Sequence, residues 1–306
     1  MANRIGVDIG GSYVKAGIVS PVGGVIFQAD PVPTVDGPGV VRDVRALVRR
    51  MLVEEPGAAS IGISSCGIVD PRAGLVLDSV SVPGYTGTRW PEQLGEFGLA
   101  VRVENDARAA AWAEYQLRED RAVTDWIHLP LGTSIGSGII VDGKLWRGRS
   151  FSAGEIGHIT VEAGGPVCSC GNIGCLELYV SNESVLSFVA AAIAAGRASR
   201  LNGSQSLDLQ LLSEAEQDGD ALAHEAFERM GRYLGTGMTT LVNLFNPAVI
   251  TVGGGTVQAS ATILRVAQAH VEAHALASAK EKLKILPGKL GNHAGFVGAA
   301  LLSKEL

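Results

Sequence analysis

The sequence predicts an α/β protein of two lobes, on three observations. Short apolar runs of strand length are interspersed with stretches whose apolar residues recur at helical spacing. A pattern of strand, glycine turn and strand at residues 4–19 returns at residues 127–145. With 306 residues, 46% of them hydrophobic, the chain can bury a core, and its length suits two ordinary domains better than one large one.

Taken in order, RIGVDI (4–9) and YVKAGIV (13–19) read as strands separated by Gly10, Gly11 and Ser12. A third short run, Gly24 to Gln28, follows the Pro21 to Gly23 turn as part of a meander. The glycines leave backbone N–H groups free to approach an anion, and Ser12 adds a hydroxyl. Val40, Val41, Val44, Leu47, Val48, Met51 and Leu52 mark a helix, and Ser60 to Ser64 a buried strand. Ala100 to Val103 is a short strand, after which Glu104-Asn105-Asp106 leads into an alanine-rich helix from about Ala107 to Leu117. Asp106 suits its start, because a carboxylate there accepts backbone N–H bonds and favours the dipole.

The segment Ile127 to Leu145 repeats the opening pattern: strand, then Gly132-Thr133-Ser134, then strand and an Asp142-Gly143 hairpin turn. Two glycine-and-hydroxyl turns in two halves of one chain suggest a duplicated domain that clasps a polyphosphate. Neither is a Walker A loop, since no G-x-x-x-x-G-K-[ST] occurs. Val185 to Ile193 is a helix stopped near Gly196, and the polar run Arg197 to Ser206 is a loop. A long buried helix spans Leu222 to Leu244 and ends at Asn246-Pro247. The strand Ala248 to Val252 then runs into Gly253-Gly254-Gly255, where backbone can approach a flat or anionic ligand closely. A last helix covers about Ala294 to Leu302.

The densest chemistry lies from Gly154 to Glu177, which holds three of the four cysteines. Cys168, Cys170 and Cys175 follow His158 by ten, twelve and seventeen positions, with glycines between them. Three thiolates and an imidazole are the ligand chemistry of a closed tetrahedral zinc site. A disulfide fits less well, because three cysteines leave one over and a C-x-C bridge is strained. Glu155 and Glu177 stand beside these ligands without being needed by them, and carboxylates held at a cavity suit a ligand rich in hydroxyl groups.

G-E-I-G-H followed by C-S-C-G-N-I-G-C-L-E resembles the signature of the ROK (repressor, open reading frame, kinase) family, in its zinc-containing, sugar-kinase branch. The resemblance continues through D-I-G-G-S, E-N-D-A and N-L-F-N-P-A-V-I-T-V-G-G-G, and so covers nearly the whole chain. It implies two RNase H-like lobes of the actin, hexokinase and heat-shock ATPase superfamily with an interlobe cleft. The expected division is a smaller lobe, 1–120, completed by a C-terminal helix at about 292–306, and a larger lobe, 121–291, with the zinc loop. It also implies roles. Asp8, Gly10, Gly11 and Ser12 form the first phosphate motif, Gly132 and Thr133 anchor the second, and Gly253, Gly254 and Gly255 lie on the adenosine side. Asp106 is the catalytic base, and Asn105, Asp106, Glu155, His158 and Glu177 bind sugar, while His158, Cys168, Cys170 and Cys175 hold a structural zinc.

The expected activity is ATP-dependent phosphorylation, with magnesium near Asp8, of the 6-hydroxyl of an aldohexose such as glucose. Ser81 stands where the family usually has asparagine before the aliphatic-Pro-Gly segment, and LYVSNES after Glu177 lacks a glycine often found there. An N-acetylmannosamine or N-acetylglucosamine kinase is therefore the alternative, with a non-catalytic sugar sensor behind it. Polyphosphate is the less expected donor, because the polyphosphate-using relatives generally lack the cysteine cluster. A repressor of the family would carry a DNA-binding domain before its first strand, which here begins at about Arg4.

The net charge of −6, from 25 basic and 31 acidic residues, gives no general attraction to nucleic acid or anionic membrane. The N-terminal residues do not form a secretory signal, and the longest apolar run, around Phe188 to Ala195, is too short to span a bilayer. Thiolates set aside for zinc fit a reducing compartment, so a cytoplasmic location is expected. Relatives suggest a homodimer.

Overall fold

A computed structural model describes residues 2–204 and 206–303. The chain forms two compact units: Met1–Thr124 with Gly138–Gly154 and Asn292–Leu306, and Asp125–Ser137 with Glu155–Gly291.

In the first unit, β1 (Arg4–Ile9) and β2 (Tyr13–Val19) pair antiparallel across the Gly10-Gly11-Ser12 turn. The meander continues through β3 (Val25–Gln28), while β4 (Val32–Pro33) also pairs with β2. Helix α1 (Gly37–Glu54) is capped by the Asp36 carboxylate, which accepts from the Gly39 N–H at 2.7 Å. Strand β5 (Ser60–Ser65) lies parallel to β1, and β6 (Ile68–Asp70) and β7 (Leu75–Asp78) form a separate hairpin. After α2 (Trp90–Gln93), β8 (Ala100–Asn105) joins β5 in parallel and runs directly into α3 (Asp106–Gln116). The sheet order is β3-β2-β1-β5-β8.

The chain then contributes β9 (Trp126–Pro130) to the second unit and returns to the first for the hairpin β10 (Gly138–Val141) and β11 (Lys144–Leu145). Asp142 and Gly143 carry φ of 50° and 74°, the left-handed pair that a tight hairpin turn needs. Within the second unit α4 (Glu177–Val180), α5 (Asn182–Ala194), α6 (Leu209–Gln217) and the 25-residue α7 (Ala221–Phe245) precede β12 (Val249–Gly253). They are followed by α8 (Gly255–Ala259), α9 (Ala261–His274), α10 (Ala277–Lys280) and β13 (Lys284–Pro287). Strand β12 is flanked in parallel by β9 and β13. Helix α7 ends on Asn246, whose φ of 44° closes it in the left-handed conformation.

The last helix, α11 (Ala294–Leu302), packs on the first unit's sheet. Its approach is close because β1 and β5 present Gly6 and Gly62 to it. A Cβ on Gly6 would overlap the Phe296 carbonyl, and one on Gly62 the Ala299 carbonyl. The contact is sealed by the buried hydroxyls of Ser60 and Ser303, 2.8 Å apart.

The helices and strands expected from periodicity are present to within a few residues. Strands β4, β6, β7 and β13 and helices α2, α4, α6, α8, α9 and α10 had no expectation. The hairpin of residues 138–154, expected in the second lobe, groups with the first unit. Of the expected C-terminal helix, residues 304–306 lie outside the described residues, as does residue 205 of the expected 197–206 loop. Among the described residues no helix is long and apolar enough to cross a membrane.

Candidate functional site

In the first unit, Asp8 sits near the end of β1, where its carboxylate accepts from Ser64 Oγ on β5 at 2.6 Å. Burial raises its pKa, and the Ser64 bond and the charge of Lys15, its partner on β2, oppose the rise. Gly295, in the first turn of α11, leaves the space this carboxylate fills: a Cβ there would collide with it. Beyond Asp8 the turn is held by Thr34, whose Oγ1 donates to the Gly10 carbonyl at 2.9 Å and whose N–H donates to the Ser12 carbonyl at 2.9 Å. Gly11 and Ser12 are exposed, with Gly11 against Ser81.

At the β8–α3 junction Asn105 is the N-cap. Its Oδ1 accepts from the Arg108 N–H at 3.2 Å, and its Nδ2 donates to the Gly67 carbonyl at 3.0 Å and to Asp106 Oδ1 at 2.9 Å. Asp106 Oδ1 also accepts from the Ala107 N–H at 2.8 Å, so one face of this carboxylate is fixed by two donors. Cys66 lies beside it. Burial, then the negative charges of Asp106 and Asp8, push the Cys66 thiol up to about 11.

Under the junction lies a cluster that the sequence reading missed. Glu104, 2% exposed, accepts from Arg108 Nε at 2.9 Å, from Arg147 Nε at 2.7 Å and from the Asn105 N–H at 3.0 Å. Arg108 donates onward to the carbonyls of Phe151, at 3.0 Å, and Ala153, at 3.3 Å. Glu104 and Arg108 stand four apart on a strand-to-helix turn, a spacing visible in the sequence. Arg147 could not be paired with them without the fold.

In the second unit the two glycine turns come together. The Leu131 N–H donates to the Gly253 carbonyl at 2.8 Å, and the Gly132 carbonyl accepts from the Asn182 N–H at 3.0 Å. Asn182 Oδ1 accepts in turn from Thr256 Oγ1 at the start of α8. Gly254 has φ of 96°, and a Cβ there would overlap the Leu131 carbonyl, so that position needs glycine on both counts. Beneath Gly253 is His128, 2% exposed, whose Nδ1 lies 2.9 Å from Thr251 Oγ1; burial lowers its pKa to about 4. Thr133 is exposed, and Ser134 donates from Oγ to Glu177 Oε2.

The loop after Gly154 carries the four expected metal ligands, whose donor atoms all lie within 4.8 Å of one another. Cys168 Sγ is 3.8 Å from His158 Nδ1, and Cys170 Sγ is 3.7 Å from Cys175 Sγ. Ligands on one tetrahedral zinc would stand ~3.8 Å apart for two sulfurs and ~3.6 Å for sulfur and nitrogen. The donor set and its spacing thus fit zinc. Backbone bonds close the loop around it: the Cys168 N–H donates to Asn172, Gly171 to Cys168 and Leu176 to Ile159. Glu155 is exposed at the N-cap of the short 3-10 turn Ile156–His158, and Glu177 opens α4.

Each unit therefore gathers its own part of the expected set: Asp8, the first turn, Asn105 and Asp106 in one, and the zinc ligands, Glu155, Glu177 and both remaining glycine turns in the other. The ROK family profile matches residues 4–306. The chain belongs to the ROK family. A glucokinase from Streptomyces coelicolor is 30% identical over 319 aligned residues, covering 100% of this chain and 98% of the relative. The crystal structure of a ROK glucokinase from Streptomyces griseus, in complex with glucose and AMPPNP, is similar with a TM-score of 0.87 at 32% identity and full coverage of both chains. A ROK-family transcriptional regulator homologous to the E. coli MLC protein is similar with a TM-score of 0.89 at 27% identity, over 99% of this chain and 78% of that one. The α/β fold is accordingly the ROK form of the actin, hexokinase and heat-shock ATPase superfamily.

Proposed function

We propose that this ROK protein is an ATP-dependent hexose kinase acting on glucose or a close aldohexose, at the 6-hydroxyl. The observation that carries this reading is the end-to-end similarity to a glucokinase bound to glucose and an ATP analogue. The β8–α3 junction supports it, with a carboxylate fixed on one side by Asn105 and Ala107.

In this reading Asp106 takes the proton from the sugar hydroxyl as its oxygen bonds to the γ-phosphorus of ATP. The bond from that phosphorus to its bridging oxygen breaks, and ADP leaves with the electron pair. Such transfers ask the protein mainly for alignment and charge neutralisation. Asn105 orients Asp106 and a sugar hydroxyl, and Glu155, His158 and Glu177 serve the other hydroxyls. Gly10, Gly11 and Ser12 serve the phosphates in the first unit, Gly132 and Thr133 do so in the second, and Gly253 to Gly255 serve the adenosine. Asp8, steadied by Ser64, is the residue that would hold magnesium, whose charge neutralises the phosphates. Zinc would be held by His158, Cys168, Cys170 and Cys175, all four positions filled by protein, so its contribution is to shape the loop carrying Glu155 and Glu177.

The second reading, an N-acetylhexosamine kinase, rests on Ser81, which lies against Gly11 with a shorter side chain than the usual asparagine. A homodimer and a cytoplasmic location belong with the same proposal; light scattering gives the dimer mass.

A coupled ADP-release assay over hexoses and N-acetylhexosamines decides between the sugars, with glucose expected to be turned over best. Asp106→Asn keeps the shape and removes the base, so kcat should fall ~10²–10⁴-fold while glucose affinity changes far less. Full turnover in the variant removes Asp106 from the role of base.

A further inference from the structure

The four ligands of the proposed zinc site differ in their access to solvent. His158 is half-buried, Cys168 and Cys175 are buried, and Cys170 is exposed. A small oxidant arriving from solvent therefore meets one thiol of the set first. Cys175 Sγ lies 3.7 Å from Cys170 Sγ, and sulfurs bond at about 2.05 Å, so the pair must close by only about 1.7 Å. Cys168 is the poorer partner, because a C-x-C bridge is strained. The backbone holds the two cysteines of the pair differently. Gly174, just before Cys175, has φ of 64°, its carbonyl accepts from the Val161 N–H at 2.8 Å, and a Cβ on it would overlap the Glu162 carbonyl. Leu176, just after Cys175, donates its N–H to the Ile159 carbonyl at 3.0 Å. Cys175 is thus fastened on both sides. Cys170 is followed by Gly171, with φ of 88°, the residue type whose backbone changes conformation most freely. The fourth thiol, Cys66, is buried in the first unit, where burial and neighbouring carboxylates push it up to about 11 and keep it unreactive.

We propose that Cys170 is a peroxide-sensitive modification site, which on oxidation closes a disulfide with Cys175 and so releases zinc. The release rests on the zinc reading above, whereas the disulfide rests on the two thiols alone. A thiol that coordinates a metal is held as thiolate, and the thiolate is the form that attacks peroxide. The Cys170 sulfur attacks one oxygen of hydrogen peroxide, the O–O bond breaks, hydroxide leaves, and the sulfur becomes a sulfenic acid. The Cys175 thiolate then attacks that sulfur; the S–S bond forms, the S–O bond breaks and a second hydroxide leaves. The sulfurs together give up two electrons, and the peroxide, with two protons from solvent, becomes two waters. An exposed thiolate beside a resolving cysteine is the arrangement such oxidation favours. His158 and Cys168 alone of the set then keep their donors, too few for a closed tetrahedral site.

The test treats the full-length protein with excess hydrogen peroxide and follows zinc passed to a chromophoric chelator, free thiols, and disulfide-linked peptides by mass spectrometry. Metal analysis comes first. About one zinc per chain before treatment supports the zinc reading; its absence fails that reading, while the peptide map still decides the disulfide. Expected are a Cys170–Cys175 link, loss of two of the four thiols, and a fall in bound zinc from about one per chain to near zero. Dithiothreitol should return the thiols, and added zinc should then bind again. Cys66→Ser should form the link and release zinc as the wild type does. Intact thiols with zinc retained overturn the proposal. So does a link between a different pair, a link formed with zinc retained, or oxidation of Cys170 to sulfinic acid with no link. No sugar and no turnover enter the measurement, so the kinase reading fails or stands by the ADP assay alone.

Discussion

The β8–α3 junction and the zinc loop both present carboxylates, and they steady them by different means. At the junction, Asn105 and Asp106 rest on Glu104, a buried acid that accepts from two arginines and a backbone N–H. Protein groups alone do that work, in surroundings where an unpaired charge is costly. Around Glu155 and Glu177 regular structure is short, a 3-10 turn and a four-residue helix, and four soft ligands converge on one point. In the proposed reading, order there comes from a zinc ion held by those four ligands. The two carboxylate sites should therefore fail separately, under different insults.

Loss of the metal is the largest expected effect. Structural zinc supplies on the order of 10 kcal/mol to a fold that depends on it. Cys170→Ser should take the zinc content from about one per chain, since four ligands make one site, to near zero. Glucose affinity should fall more than nucleotide affinity. Metal analysis with calorimetry checks both, and a metal-free protein with normal glucose affinity would break the contrast at once.

Glu104→Gln probes the other side. It leaves Arg108 buried without its anion, a change that costs about 3–5 kcal/mol, read as a lower melting temperature. Zinc content should stay at the wild-type value. If the variant also lost its zinc, the two supports would be one structure and not two.

Acid should act on the second unit through His128, independently of the metal. The unfolded imidazole takes its proton near 6.5 and the folded one near 4, so the unfolded state binds more protons between those values. Stability is therefore full above pH 6.5 and falls as pH drops through this window, by up to about 3 kcal/mol. Denaturant melts from pH 6.5 down to pH 4 measure this slope. His128→Gln should flatten the slope, and an unchanged slope would assign it to another group.

The smallest effect sharpens the loop's side of the comparison. Ser134 donates to Glu177, so Ser134→Ala should remove about 1 kcal/mol of orientation and raise the glucose KM a few-fold with kcat nearly constant. A kcat loss at constant KM would move Ser134 from holding Glu177 to the chemistry itself.

What the sequence determined by itself was short-range. The four proposed zinc ligands, whose donor atoms do converge, lie within eighteen residues, from His158 to Cys175, and glycine between them leaves few ways to arrange them. The β1–β2 turn, the Asp142-Gly143 hairpin and the 25-residue α7 were legible for the same reason, since turn chemistry and apolar periodicity act between near neighbours. Tertiary structure alone decided the rest. It brought Arg147 to Glu104 across 43 residues and Thr256 to Asn182 across 74, pairings that no spacing announces because any buried carboxylate or amide could accept from many donors. It set residues 138–154 with the first unit, although their repeat of the opening pattern pointed to the second. It also laid α11 on β1 and β5, where Gly6 and Gly62 read as ordinary strand residues until a helix carbonyl occupies the space of the missing side chains. Periodicity says which face of an element is apolar. Which distant element covers that face is settled only when the chain packs.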